Sequence, residues 1–535
     1  MTRLGLLVVT AIFCVASDVL AEAPQDRARE VSAQIDAFLA RHWDENGITP
    51  AELTGDSDFL RRVTLDLLGR IPTYDEAIAF AHDANEPKRP LVIGRLLASP
   101  EYPLHFGNVL DAIIQGKYAG DEAFIAYLRR RLEQGGTWDE LFREMMLGPW
   151  ETDEQKPARE FLAKRINDLD DLTNDTARVF FGVEISCAKC HDHPLVFDWT
   201  QHHYYGMESF FSRTYAKRSG SELELREKDG GDVSFVDRAG EQHTAKVMFL
   251  SGRVVDEPDL SLDPRLQDRK KQAEKQGSYL PPGFSRREQL VASALEQREF
   301  FSRAVVNQVW NNLLGRGFVS PVDQMHSENP PSVEGVLEWL ADDLSSHHYD
   351  LNRLIAGIVG SRAYQLSSRW LSAEESPAAE HFAKAAIRPL TPQQFAFSLA
   401  VAAGDGSYET ATDPAARRER YREMEKRVRG LIASLDPRTD NPASTTTEAL
   451  FMSNNEAIAE WLKPGGANLV ERLAGTTDAD LLVETAVWTI LSRAPDAEER
   501  ALLADWVGDR PDDRVGACGQ LVWALVTSAE FRFNH

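Results

Sequence analysis

The sequence predicts a mainly α-helical protein, built as two helical domains with a small antiparallel β insertion. Three observations predict it. Apolar residues recur at helical spacing along most of the 535 residues. A period of two is confined to 221–250. A charged, proline-bearing stretch with Lys270-Lys271 and Pro281-Pro282 then separates two helical series. The division is therefore a leader at 1–21, an N-terminal domain at 22–251, a linker at 252–284 and a C-terminal domain at 285–535. A hydrophobic fraction of 43% is enough to build cores in a chain of this length.

The first helix spans 27–43, with Val31, Ile35, Phe38 and Leu39 on one face. A second covers 56–70 and stops at Pro72. Thr73 then caps the next helix, with Glu76 at the capping-box position. Further helices fall at 91–98, 105–115, 121–134, 138–146 and 174–181. Asp198 is the expected cap of a run through His202, His203, Met207 and Phe210. Three strand-like pieces, 223–225, 233–236 and 246–249, are parted by Gly230-Gly231 and Ala239-Gly240 and read as a meander. Helices resume at 287–314. Ser332 is expected to cap 333–344, and Asp350 to start 351–359. A small-residue linker at 372–379, a charged helix at 419–435, a polar loop at 439–447 and closing helices at 483–491 and 514–531 complete the chain.

A weak repeat runs through this series. Leu68-Gly69-Arg70-Ile71-Pro72 precedes a helix and then Ser99-Pro100-Glu101-Tyr102. Leu491-Ser492-Arg493-Ala494-Pro495 precedes a helix and then Ser528-Ala529-Glu530-Phe531. Leu314-Gly315-Arg316 and Ser361-Arg362-Ala363-Tyr364 stand between them. A structural role is expected, with the arginine capping carbonyls and the aromatic packing.

The first residues read as a secretory leader. Arg3 supplies positive charge, 4–16 is apolar but too short to span a bilayer, and Val19-Leu20-Ala21 offers a small-residue cleavage site. No later stretch is apolar for long enough to cross a membrane, so an exported, periplasmic or secreted protein without stable membrane insertion is expected. Cleavage leaves Cys187, Cys190 and Cys518, too few for a disulfide scaffold. The formal net charge of −25 argues against nucleic-acid binding, which needs basic patches. No G-x-S-x-G, Walker loop or H-E-x-x-H occurs.

The motif that carries chemistry is Cys187-Ala188-Lys189-Cys190-His191-Asp192-His193-Pro194. Its C-x-x-C-H spacing is that of covalent haem attachment. Two thiols three residues apart reach the two vinyl groups of one haem, and the next histidine supplies the proximal imidazole. Met207, His202, His203, Met325 or His326 would provide the sixth ligand. A second reading places zinc or another transition metal between Cys187, Cys190, His191 and His193, with His202 or His203 able to replace one of them. A third closes a disulfide between the two cysteines. Cys518 lies at helical spacing with Val515, Val522 and Leu525 and reads as a core thiol.

Thr176-Ala177-Arg178-Val179-Phe180-Phe181-Gly182-Val183 runs into this motif, and Asp198-Trp199-Thr200-Gln201, Tyr204-Tyr205 and Phe210-Phe211 follow it. With Phe59-Leu60-Arg61-Arg62-Val63-Thr64-Leu65-Asp66-Leu67, this resembles the planctomycete cytochrome-like secreted proteins defined by domain of unknown function 1549. Ala304-Val305-Val306-Asn307-Gln308-Val309-Trp310, Leu313-Leu314-Gly315-Arg316-Gly317, Pro330-Pro331-Ser332 and Ser453-Asn454-Asn455 resemble its companion, domain of unknown function 1553. The resemblance implies a secreted bacterial protein and names no reaction. Longer members carry a separate cytochrome c domain in front, for which there is no room between the leader and the first helix here. The expected function is thus an exported c-type haem protein in periplasmic or surface redox chemistry, served by a redox partner protein. The alternative is a non-redox exported protein whose Cys/His metal or disulfide site supports binding or processing of polymers.

Overall fold

The computed structural model describes residues 24–535 apart from 86, 193–195, 221, 260–262, 277, 374, 405–407, 409–412 and 436–454. The fold is mainly helical. It opens with α1 (Pro24–Glu45), α2 (Asp56–Leu68), α3 (Tyr74–Ala81), α4 (Lys88–Leu97) and α5 (Tyr102–Gln115). Next come α6 (Glu122–Glu133), α7 (Trp138–Leu147), α8 (Glu160–Arg165), α9 (Leu169–Phe181) and α10 (Gln201–Ser209). No helix among the described residues is long and apolar enough to cross a membrane.

Local chemistry sets the ends of these helices. Thr73 and Glu76 form the expected capping box at α3. Helix α2 ends at Gly69, whose φ of 74° is left-handed. A Cβ there would lie 2.3 Å from His105 Nδ1, so the position also needs glycine for space. Helix α9 is capped by Asp168 and ends at Gly182, which delivers the chain to the C-x-x-C-H segment.

The β insertion is two separate hairpins. Strands β1 (Thr214–Ser219) and β2 (Glu222–Glu227) pair antiparallel, as do β3 (Ser234–Val236) and β4 (Gln242–Thr244). The expected meander is corrected at both ends: β1 precedes it, and 246–249 contributes only an isolated bridge from Met248 to Val254. The expected linker at 252–284 carries a helix, α11 (Pro264–Gln276), seated by Leu266.

The second series begins with α12 (Arg286–Glu296), α13 (Arg298–Leu314), α14 (Val336–Ser346), α15 (Leu351–Gly360) and α16 (Arg362–Gln365). The single helix expected over 287–314 breaks at Gln297, with ψ of 55°. The break lets α12 pack on α7 while α13 packs on α9 and α14. Gly335, at φ 80°, precedes α14 in place of the expected Ser332 cap; Ser332 instead donates its backbone N–H to Phe318 O (2.9 Å). The chain closes with β5 (Arg388–Pro389), α17 (Pro392–Ala403), α18 (Pro414–Ser434), α19 (Glu456–Leu462), α20 (Leu469–Gly475), α21 (Ala479–Leu491), α22 (Ala497–Gly508), α23 (Arg514–Thr527), α24 (Ala529–Arg532) and β6 (Phe533–Asn534). The polar loop expected at 439–447 lies outside the described residues.

Packing divides the chain near residue 390. One core runs from Val31 to Ala383, takes in both helical series and is joined by Trp488 of α21. In it Phe301 of α13 stacks on Trp138 and lies 4.9 Å from Phe142 of α7. The other core joins α17 to α24, and Leu65, Ile71 and Leu104 of the first series reach into it.

Candidate functional site

The C-x-x-C-H segment follows Gly182 as a short 3-10 turn, Ser186–Lys189. Its side chains divide by polarity. Ala188 and the preceding Ile185 are fully buried, and the Ala188 N–H donates to Ile185 O (2.9 Å). With Ala188 plugged into the core, Cys187 and Cys190 are both exposed as free thiols. The structure does not join them as a disulfide.

Polar contacts hold the turn against α9 and α10. Lys189 pairs with Asp170 of α9, whose other oxygen accepts from Tyr204 OH at 2.7 Å. The Lys189 carbonyl accepts from Tyr205 OH (3.1 Å) and Gln201 Nε2 (3.2 Å) of α10. Asp192 accepts from the Gln201 N–H (2.9 Å) at the start of that helix. Asp170, Gln201 and Tyr205 are thus the positioning residues of the motif. Asp170 had no signal in the local sequence, because it lies a whole helix upstream.

The histidines sort by their hydrogen bonds. In His191, Nδ1 lies 2.8 Å from the Asp192 carbonyl, so it is the protonated donor, and the Nε2 lone pair is left for a ligand. In His203, Nδ1 accepts from Thr200 N–H (3.3 Å) and sits 2.9 Å from Thr200 Oγ1, so the proton lies on Nε2 and the ring is not poised as a ligand there. Burial, helped by His202, also lowers the His203 pKa. This Thr200–His203 cap replaces the expected Asp198 cap. Asp198 instead accepts from Ser327 N–H (2.7 Å) and Oγ–H (2.8 Å).

The other candidates are dispersed. His193 lies outside the described residues. His202 is exposed and packs edge-on against Phe235 and His243 of the second hairpin. Met207 is fully buried in the core, so its thioether would have to leave that packing to bind anything. Met325 donates its N–H to Gly182 O (3.0 Å), and the Asp198–Ser327 contact ties the same segment down beyond the motif. Between these ties His326 keeps a buried Nδ1 with no hydrogen-bond partner.

Among the described residues, no three of the Cys187, Cys190, His191, His202 and His203 donors converge on one point. The cluster that does form is Asp237, Glu241 and His243, in the turn between β3 and β4. There Asp237 accepts from His243 Nε2 and from the N–H groups of Ala239 and Glu241, which accounts for the grouping as hairpin structure. Cys187, Cys190 and His191 are neighbours along the chain, on the turn Ser186–Lys189 and just after it.

Two family models match the chain. PSCyt2, a protein of unknown function (DUF1549), covers residues 34–216 and includes the C-x-x-C-H motif. PSD1, also a protein of unknown function (DUF1553), covers residues 286–507, beginning with α12. No curated protein and no solved structure matches. The chain thus belongs to the proteins that carry a PSCyt2 region followed by a PSD1 region.

Proposed function

We propose that Cys187, Cys190 and His191 are a c-type haem attachment site, and that the protein serves redox chemistry outside the cytoplasm with a partner protein. The observation that carries this reading is the pairing of two exposed free thiols with a His191 ring whose Nδ1–H is spent on a carbonyl. That is the thiol access and imidazole tautomer the group requires, so the residues fit it. Bound there, haem supplies one-electron transfer, or ligand binding if one axial position stays open.

The protein's own residues act as a mount. Tyr205 and Gln201 hold the Lys189 carbonyl, Asp170 neutralises the Lys189 ammonium, and Ala188 fixes the turn in the core. The exposed thiols keep the site at the surface, where a partner protein can approach. His326, whose buried Nδ1 has no hydrogen-bond partner among the described residues, would be a further nitrogen donor to the group. The leader at 1–21 supports export, the setting in which such thioethers form.

The test is the absorption spectrum and metal content of protein made in a host with c-type haem maturation. A Soret band that survives acid–acetone extraction, and is lost in Cys187→Ala and Cys190→Ala, is the expected result. A colourless protein without iron overturns the reading, and zinc in its place supports the Cys/His metal alternative.

A further inference from the structure

The largest cavity described has no residue of the C-x-x-C-H motif in its lining. It holds about 1070 Å³ and lies between the two family regions, with α5 and α9 on one side and α13, β5 and the start of α17 on the other. Its volume is at the upper end of the roughly 300–1,000 Å³ of ligand sites.

The wall on α13 is made of carboxamides. Gln308, Asn311 and Asn312 recur at helical spacing, so they share one face. All three are half-buried, line the cavity, and make no side-chain hydrogen bond among the described residues. Their neighbour Asn307 is different. It is fully buried and bonds Val319 through both ends of its amide, at 2.8 and 3.1 Å. The motif around residue 307 therefore contains one amide used by the fold and another, Gln308, left facing the cavity.

The opposite wall carries Val109, Ile113 and Val179. Deeper in, His105 is 4% exposed and its Nδ1 has no partner. Burial lowers the His105 pKa to about 4, so the ring is neutral at neutral pH. The charged lining residues, Asp66, Asp323, Arg178 and Arg388, sum to zero. Arg388 contacts both oxygens of Asp66 at 2.7 and 2.9 Å, and Arg178 (2.7 Å) shares the single Asp175 carboxylate with Arg165 (2.6 Å). Asp323 is the carboxylate left over.

We propose that this cavity binds an uncharged polyhydroxylated ligand, a segment of a neutral oligosaccharide, between the carboxamides of α13 and the aliphatic wall of α5 and α9. A carboxamide presents two N–H donors and two lone pairs side by side, matching hydroxyls that both donate and accept. The Asp323 carboxylate accepts from hydroxyls as well, and a lining whose charges sum to zero offers no net attraction to a sulfated, phosphorylated or uronic ligand. The aliphatic wall suits the C–H face of a sugar ring. No Phe, Tyr or Trp side chain lines the cavity to stack on a nucleobase.

The test uses the full chain, with cellotetraose, xylotetraose, mannotetraose and laminaritetraose as neutral probes and trigalacturonate as the anionic comparator. Binding is read by saturation-transfer NMR and by calorimetry. At least one neutral probe should bind, more tightly than trigalacturonate. Gln308→Ala/Asn311→Ala should weaken it by about tenfold or more, at an unchanged melting temperature. Asn312→Ala, a smaller change, should weaken it in the same direction and serves if the double variant folds poorly. The proposal is overturned if no neutral probe binds up to about 10 mM, if trigalacturonate binds best, or if wild type and variants bind alike. The readout does not involve haem and stands apart from the assignment of Cys187, Cys190 and His191.

Discussion

Asp66 receives three side chains from distant parts of the chain: Tyr364 OH at 2.7 Å, Arg388 at 2.7 Å and Asn534 Nδ2 at 2.9 Å. On the same helix Arg61 donates to the carbonyls of Ile490 and Phe531, and Arg62 to those of Tyr364, Leu366 and His535. Arg61, Arg62 and Asp66 of the 59–67 motif are therefore docking groups for the second helical series. Near the C-x-x-C-H mount, Glu208 has its pKa raised to about 7, first by burial and then by the charge of Asp170. Its folded value exceeds its ordinary 4.5. The stability it contributes is therefore full below about pH 4.5 and is lost as pH rises to about 7. Glu208→Gln should melt with wild type near pH 4 and above it near pH 8. Equal melting temperatures at the higher pH would mean that the native carboxyl is solvated and ionised.

At the scale of elements, the weak repeat becomes a shared arrangement of side chains. After α2, Arg70 contacts Glu76 and Glu101, each at 2.7 Å, and donates to Ile71 O at 3.0 Å. After α21, Arg493 contacts Glu499 at 2.7 Å and Glu530 at 2.5 Å, and donates to Ala494 O at 3.1 Å. Each glutamate pair joins a helix N-terminus to the start of a later helix, so the arginine staples three helices. The expected carbonyl contact is present, and the carboxylates are the larger part. In the middle copy Arg316 pairs with Glu380, at 3.6 Å, as its one carboxylate among the described residues, and Ala363 stands where the other copies have the second glutamate. The outer copies differ at the helix stop: Gly69 in one, and in the other Ser492, with φ of 61° and a buried hydroxyl lacking a partner. Ser492→Gly relieves both and should stabilise the protein by about 1 kcal/mol in denaturant unfolding. No gain would show that the serine hydroxyl has a partner in solution.

For the whole molecule, the two family regions are not two independently packed bodies. Leu290, Phe301, Val305 and Trp310 of the PSD1 region share one core with Trp138, Phe142 and Phe180 of the PSCyt2 region. Helix α2 in turn lends Leu65 to the second core. A 24–284 fragment would expose the apolar faces of α7 and α9 that α12 and α13 cover. It should aggregate or bind hydrophobic dyes when expressed alone, and recover a cooperative melt when co-expressed with 285–535. A soluble fragment with its own sharp transition would refute this dependence.

Much of the local structure was legible in the sequence, because helical periodicity, capping boxes and left-handed glycines act over a few residues. Thr73 with Glu76, and Asp350 ahead of α15, are read from neighbours alone. The C-x-x-C-H motif is likewise a local pattern. Long-range packing decided the rest. The break at Gln297 exists because α12 and α13 cover different partners. Asp198 lost the helix cap to Thr200 because Ser327, more than a hundred residues away, binds its carboxylate. The His191 ring was assigned its proton by the Asp192 carbonyl, and Met207 was buried by the core. Covalent neighbours thus determined the elements and the motif, while contacts between residues remote in the chain determined which side chains are free to do chemistry.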